Sequence, residues 1–137
     1  MTELITRMNE AMPWGYQLAF LIRVLAATLC GGAIGYERTK RLKEAGIRTH
    51  CLVCCASALI MIVSKYAFAD LTAGGEFFFG ARGADPARIA AQVVSGISFI
   101  GLAVIYRNGS TLKGLTTAAG IWATAGIGLA IGAVSPA

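Results

Sequence analysis

The stretch from Glu37 to His50 carries the densest set of side chains in the chain that could do chemistry. It holds five of the twelve Lys and Arg residues, two of the seven acids and the only His. His50 has no Ser and Asp partners arranged for nucleophilic catalysis, so we expect it to lie at an interface. No Gly-x-x-x-x-Gly-Lys-Ser/Thr phosphate loop occurs either. The sequence therefore predicts that the protein is not an enzyme and uses no cofactor.

Acidic residues decide whether a metal site is expected. Magnesium prefers six oxygen ligands and retains several waters. The apolar segments contain no Asp or Glu, and the acids lie at their ends, as Glu37 and Asp85 do, or in loops. These two are the candidate metal ligands, but helix capping or ion pairing accounts for each, so no metal site is predicted.

Three of the four cysteines could share one helix face, because Cys51, Cys54 and Cys55 follow the spacing i, i+3, i+4. A single Cys-x-x-Cys pair without a second pair of Cys or His does not favour zinc. We interpret these residues as small apolar packing groups, with a redox role as the alternative.

Composition places these side chains in a membrane protein. The chain is 56% hydrophobic and 14% charged, whereas an average soluble domain is about 25% charged. A membrane-spanning helix needs about 20 apolar residues. Four runs satisfy this requirement, over residues 16–36, 51–69, 89–106 and 115–134.

The predicted fold class is all-α: a polytopic membrane protein with a bundle of four transmembrane helices. Residues 1–15 form a short amphipathic segment that ends near Pro13 and lies at the membrane surface. Residues 16–137 form the transmembrane domain. The first run is longer than the apolar region of a secretory signal, so we expect it to be a retained span.

Arg23 is the one charge well inside a predicted span. It shares a face with Ala27, Gly31 and Gly35, which recur every four residues, so it should point toward another helix. A charge at this depth costs about 2.5–3.5 kcal/mol on insertion scales. We expect Asp85 or a backbone carbonyl to balance it. A structural ion pair and a functional charge are both open interpretations.

Two further faces carry small or polar side chains. In the third run the face consists of Arg88, Gln92, Ser95 and Gly96. In the fourth run it consists of Thr117, Gly120, Thr124 and Gly128. Faces rich in small residues predict tight helix contacts rather than a wide water-filled lumen.

The connections between spans also carry signals. The first helix should continue to Ala45, with Gly46 as its left-handed stop, and Thr49 should cap the second span. The short turn at 107–110 makes the third and fourth spans antiparallel neighbours.

Charge in the loops predicts the orientation. Loops 37–50 and 107–114 carry five and two Lys or Arg residues, and the other side carries four at most. Both loops should be cytoplasmic and both termini outside. The net charge of +5 then favours contact with anionic lipid of the inner leaflet. Nucleic-acid-binding motifs are absent, so no nucleic-acid partner is expected.

Three blocks of sequence resemble one known family. Gly-Tyr-Glu-Arg at 35–38, followed by Ala-Gly-Ile-Arg-Thr-His at 45–50, is similar to the Gly-Leu-Glu-Arg and Ala-Gly-Leu-Arg-Thr-His signature of MgtC/SapB membrane proteins. Asp-Pro-Ala-Arg-Ile-Ala-Ala-Gln-Val-Val-Ser-Gly-Ile at 85–97 resembles the second block of the family. Lys-Gly-Leu-Thr-Thr-Ala-Ala at 113–119 resembles the third.

The resemblance implies a bacterial inner-membrane protein linked to magnesium limitation and, in pathogens, to survival inside host cells. Members are often labelled magnesium transporters, but a regulatory role is implied, including restraint of the membrane ATP synthase. Two departures stand out. We expect four spans in this chain, whereas longer members of the family add a further span and a soluble C-terminal domain. Ser98 and Leu102 replace glycines of the second block, and we expect them to loosen the closest contact along the third span.

Two functions therefore remain open. The first is a small membrane interaction protein that docks on itself as a homodimer or on another membrane complex. The alternative is a small transporter or channel for magnesium or another ion or solute. The candidate functional residues are Arg23, Glu37, Arg38, Arg48, His50, Asp85, Arg88, Gln92 and Thr117. The candidate packing residues are Gly31, Gly35, Gly96, Gly120 and Gly128.

Overall fold

Four helices make up almost all of the computed structural model, which describes residues 14–66, 87–108 and 110–134. They are α1 (Trp14–Lys40), α2 (Ile47–Tyr66), α3 (Ala87–Val104) and α4 (Leu115–Ala133). Each is long and apolar enough to cross a membrane, which confirms the predicted all-α, four-span fold. Of the predicted amphipathic segment, only residues 14 and 15 are described, and they begin α1. Asp85 also lies outside the described residues.

Helix α2 lies at the centre of the bundle. Phe20 of α1 contacts Tyr66, with ring centroids 4.8 Å apart, while a Cβ added at Gly31 of α1 would lie 2.8 Å from the Cβ of Cys54. The earlier residue of α1 contacts the later residue of α2, and the later residue of α1 contacts the earlier one, so these two helices are antiparallel. On the other side, Cβ atoms added at Gly128 and Gly132 of α4 would lie 2.8 Å from those of Ser57 and Met61, respectively. Helices α2 and α4 are therefore parallel.

Small residues set the spacing of the central helices. Ala27, Cys54 and Ala58 form a buried cluster between α1 and α2, with Ile131 of α4 packed against it. A Cβ on Gly31 would also meet the carbonyl oxygen of His50. Since hydrocarbon offers helices no hydrophobic reason to associate, close van der Waals packing of this kind holds them together.

The connection between α1 and α2 differs from the prediction. Helix α1 ends at Lys40 instead of continuing to Ala45. The left-handed residue is Leu42, with φ 50°, and Gly46 does not have a positive φ. Gly46 is required for another reason, because a Cβ there would lie 2.8 Å from the hydroxyl oxygen of Thr39.

Thr39 also takes the capping role predicted for Thr49. The backbone N–H of Ile47 donates to the Thr39 hydroxyl at 3.0 Å, and that hydroxyl donates to the carbonyl of Gly35 at 2.9 Å. Helix α2 begins at Ile47, so Thr49 lies inside it. The last turn of α1 therefore caps the first turn of α2, and it does so from eight residues away.

A two-stranded antiparallel hairpin joins α3 to α4. It pairs β1 (Tyr106–Asn108) with β2 (Thr111–Lys113). Gly114 follows with φ 86°, and a Cβ there would meet the carbonyl oxygen of Val104. As predicted from the short turn, α3 and α4 are antiparallel neighbours, and a Cβ at Gly101 would lie 3.6 Å from that of Ala118.

Ser98 and Leu102, which we expected to loosen the closest contact along the third span, line a groove between α3 and α4, and the loosening itself stays a prediction. Both side chains are exposed, and the hydroxyl of Ser98 donates to the carbonyl of Val94 in its own helix at 2.8 Å. Gly101, on the same side of α3 as these two residues, makes the close contact with Ala118 of α4.

Candidate functional site

A group of polar side chains gathers at the end of the bundle that carries the hairpin, which we call the hairpin end. The group consists of Arg38, Glu44, His50 and Thr117, and we refer to it as the polar cluster. Its members come from α1, from the connection between α1 and α2, from α2 and from α4. Two of the sequence blocks, separated by more than sixty positions, therefore meet at this end of the molecule.

Thr117 and Glu44 form the central hydrogen bond of the cluster. The Thr117 hydroxyl, which is 1% exposed, donates to Oε2 of Glu44 at 2.7 Å. This bond, then the backbone N–H of Glu44, and then the charges of Lys43 and Lys113 lower the pKa of the Glu44 carboxyl. Desolvation acts in the opposite direction but is outweighed. Glu44 is thus held ionised at the rim of the bundle.

Arg38 joins α1 to α4 across the same end. A Cβ at Gly120 would lie 3.0 Å from Nη2 of Arg38 and 3.5 Å from its Nε, so the guanidinium lies directly on the backbone of α4. The missing side chain at Gly120 therefore leaves space for the guanidinium of Arg38, and not for close contact with another helix. Arg38 is partly buried.

His50 is completely enclosed by the bundle. Its exposure is 0%, and neither ring nitrogen has a hydrogen-bond partner within the described part of the chain. The sequence predicts an interfacial His50, and the structure places it in the first turn of α2 but inside the packing. Buried polar groups are normally hydrogen-bonded, so this imidazole is a costly component of the hairpin end.

Two candidates from the same sequence block lie outside the cluster. Glu37 is exposed and forms a 2.9 Å ion pair with Arg41 one turn later. Arg48 is exposed as well. Such surface pairs contribute little to stability.

Arg23 lies in the interior near the opposite end of the bundle. It is 7% exposed, its guanidinium carbon is 5.5 Å from the ring centroid of Phe20, and its Nη1 has no hydrogen-bond partner among the described residues. The predicted partner, Asp85, lies outside the described residues, so their pairing stays a prediction.

The predicted polar face of α3 is exposed. Arg88, Gln92 and Gly96 all face outward, and a Cβ at Gly96 would meet no atom within 4 Å, so Gly96 packs against no helix in the described bundle. Gln92 and Gly96 instead line an apolar groove of about 510 Å³ between α2 and α3.

The cysteines show no sign of a metal centre. All four are free, and Cys54 is buried while Cys30 is exposed. Among residues 14–66, 87–108 and 110–134, no group of three or more His, Cys, Asp or Glu side chains could hold a metal ion.

Sequence reasoning missed Glu44 and Thr39. Both lie between the two parts of the first block, 35–38 and 45–50, that resemble the family signature, and neither was singled out. Glu44 is bonded to a residue 73 positions later, and no local spacing links the two. The available signal was the position of Glu44 next to the Ala-Gly turn that brings α2 back toward α1.

The fold and the site define a class: a multi-pass helical membrane protein with a polar cluster built at one rim. Comparison with known proteins assigns the chain to one family within this class. The chain belongs to the MgtC family, whose family model matches residues 24–136.

Several curated relatives share this region. The chain is 52% identical over 113 residues to the putative magnesium transporter YhiD of Escherichia coli (strain K12), covering 82% of this chain and 50% of the relative. It is 41% identical over 113 residues to the protein MgtC of Salmonella typhimurium (strain LT2), covering 82% and 43%. For MgtC of Brucella abortus the identity is 39% over 107 residues, covering 78% and 40%. The chain thus spans half or less of the length of these relatives. No solved structure matches.

Proposed function

We propose that this protein is a regulatory interaction module of the bacterial plasma membrane, active under magnesium limitation, and that it acts through the surface of the hairpin end, which the polar cluster holds in place. Family membership and the name of the Escherichia coli relative support the link to magnesium. The observation that carries the interaction role is the Thr117–Glu44 bond beside Arg38, which holds an ionised carboxylate and a guanidinium at the hairpin end.

Features of the spans favour regulation over transport. The four apolar runs contain no Asp or Glu, although a dication needs oxygen ligands along its path. Arg23 is buried within the bundle, and its positive charge would repel a dication. The hydroxyl of Thr124 donates to the carbonyl of Gly120 in its own helix at 2.8 Å, and the residue is completely buried by the packing of the bundle.

The target we propose is a membrane complex, with the ATP synthase as the first to test, and the hairpin end faces the cytoplasm. In that orientation the basic residues around the polar cluster meet anionic lipid of the inner leaflet, which attracts Lys and Arg near the surface. A cytoplasmic rim is also where the catalytic part of a membrane ATPase could be reached.

The test uses inverted membrane vesicles that contain ATP synthase. Adding the reconstituted chain should lower ATP-driven proton pumping. Thr117→Val removes the hydroxyl that bonds Glu44, and Arg38→Lys removes the guanidinium that lies on α4 at Gly120, so each should abolish this effect. Arg41→Gln is the matched control, since it removes an exposed cation at the same end whose guanidinium forms an ion pair with the surface carboxylate of Glu37. Unchanged pumping with wild-type protein would contradict restraint of the synthase.

Transport of magnesium or another ion is the second candidate, favoured by the name of the Escherichia coli relative. Liposomes that contain the purified chain should show no magnesium flux above protein-free liposomes. A flux that Arg23→Leu or Gln92→Leu abolishes would favour transport and overturn the regulatory proposal.

A further inference from the structure

Helix α3 has an outward face that no described part of the chain covers. Its packed side consists of Ala90, Ile97 and Gly101. Its open side carries Gln92, Ser95, Gly96 and Phe99, all of which are exposed.

Gln92 is the residue on this face that hydrocarbon tolerates least. It is the sixth residue of α3, about 8 Å from the start of the helix at 1.5 Å per residue, and so lies well within the span. Its amide makes no hydrogen bond to any residue that the structure describes, and it lines the groove between α2 and α3. Lipid tails have no hydrogen-bonding groups, so an unpaired amide at this depth carries a desolvation cost.

The surroundings of Gln92 allow another helix to approach closely. Gly96 follows one turn later, and a Cβ there would meet nothing within 4 Å. The groove of about 510 Å³ beside it is lined almost entirely by aliphatic side chains of α2 and α3. An amide next to a bare glycine is the combination that favours association of membrane helices, since close packing and interhelical hydrogen bonds drive it.

We propose that a second copy of this chain docks on this face, with the two Gln92 amides hydrogen-bonded to each other across a two-fold axis. Membrane insertion gives every copy the same orientation, so the axis must run along the membrane normal and identical residues meet at the same depth. In a two-fold interface each group near the axis faces its own copy. A carboxamide suits this position because it both donates and accepts, whereas a charged side chain would repel its copy.

This inference concerns a surface other than the polar cluster. A protein that docks through α3 can lack any effect on ATP synthase, and one that restrains the synthase can be a monomer. The two proposals can therefore fail separately.

The test measures self-association of the full chain in liposomes by energy transfer between donor-labelled and acceptor-labelled N-termini, over a range of protein-to-lipid ratios. Gln92→Leu should raise the dissociation constant by at least about tenfold, since two membrane hydrogen bonds of about 0.6 kcal/mol or more each would be lost. Gly96→Leu should weaken association through steric exclusion. Gln92→Asn, which retains the carboxamide, should remain close to wild type.

Two matched controls separate this interface from general perturbation of the bundle. Ser98→Ala removes an exposed hydroxyl from α3 that is already bonded within its own helix. Gly126→Leu adds the same side chain at an exposed glycine of α4 with nothing within 4 Å. Both should associate as wild type does, and circular dichroism should show equal helix content in all variants.

Three results of the energy-transfer measurement would overturn the proposal. Wild-type protein could remain monomeric at every ratio, Gln92→Leu could associate as tightly as wild type, or Gly126→Leu could dissociate the dimer as strongly as Gly96→Leu does. Native mass spectrometry from native-lipid nanodiscs would identify another occupant: a monomer that retains lipid or a different protein helix contradicts docking of a second copy.

Discussion

At the scale of single residues, the Thr117–Glu44 bond makes the hairpin end sensitive to pH. The pKa of Glu44 is lowered from an ordinary value of 4.5, so folding favours its ionised form. That contribution to stability is fully present above pH 4.5 and is lost as the pH falls through the lowered pKa.

We therefore expect Thr117→Val to lower the midpoint of thermal unfolding by about 3 °C at neutral pH, because the ionised carboxylate loses its best donor. The difference from wild type should disappear well below pH 4.5, where the carboxyl is protonated in both states. Unfolding in detergent, followed by circular dichroism across this pH range, measures it. Glu44→Gln should remove the pH dependence, and a gap between Thr117→Val and wild type that persists in acid would contradict the assignment.

The buried Arg23 gives a second prediction at this scale, in which Asp85 is its partner. Removing one member of a buried ion pair costs about 3–5 kcal/mol, so Asp85→Ala should destabilise the bundle. Arg23→Met should then cost less in the Asp85→Ala background than in wild type. A double-mutant cycle on unfolding in detergent measures the coupling energy between the two residues. A coupling energy of zero would mean that groups other than Asp85 stabilise the charge of Arg23.

At the scale of helices, two glycines of α4 lie two positions apart in very different surroundings. A Cβ at Gly128 would press on the backbone and side chains of α2, whereas one at Gly126 would meet nothing. Gly128→Ala should lower the free energy of unfolding by about 1–3 kcal/mol through overpacking. Gly126→Ala should leave it unchanged or raise it, because alanine is the better helix former. Equal effects of the two substitutions would contradict the packing of α4 on α2.

The helices could be predicted from the sequence because hydrocarbon imposes one simple requirement, a long uncharged run. The contacts made by the ends of these helices could not be predicted in the same way. Gly46 looks like a helix stop, but its role is to leave room for the Thr39 hydroxyl, and the cap of α2 comes from the preceding helix. Likewise, the Thr117–Glu44 bond depends on how α4 lies beside α1 and α2, and no local pattern contains that information. The exposure of Gln92 has the same origin, since only the assembled bundle shows which face of α3 stays open.

At the scale of the whole molecule, charge divides the two ends of the bundle. The hairpin end carries the basic connection between α1 and α2 together with Arg107 and Lys113. The described residues at the other end include Lys65. Its ammonium donates to the carbonyl of Ala133 at 3.0 Å. Lys and Arg in short loops are retained on the cytoplasmic side during insertion. The distribution therefore supports a cytoplasmic hairpin end, on which the proposed function depends.

Cysteine labelling in intact cells tests this orientation directly. In a chain whose four natural cysteines are changed to alanine, Ser110→Cys places a thiol at the exposed tip of the hairpin, and Ala87→Cys places one at the exposed start of α3 on the opposite end. A membrane-impermeant maleimide added outside should label Ala87→Cys and leave Ser110→Cys unlabelled until the cells are opened. Because one membrane separates the two positions, the reverse pattern would place the polar cluster outside the cell and remove it from the reach of any cytoplasmic partner.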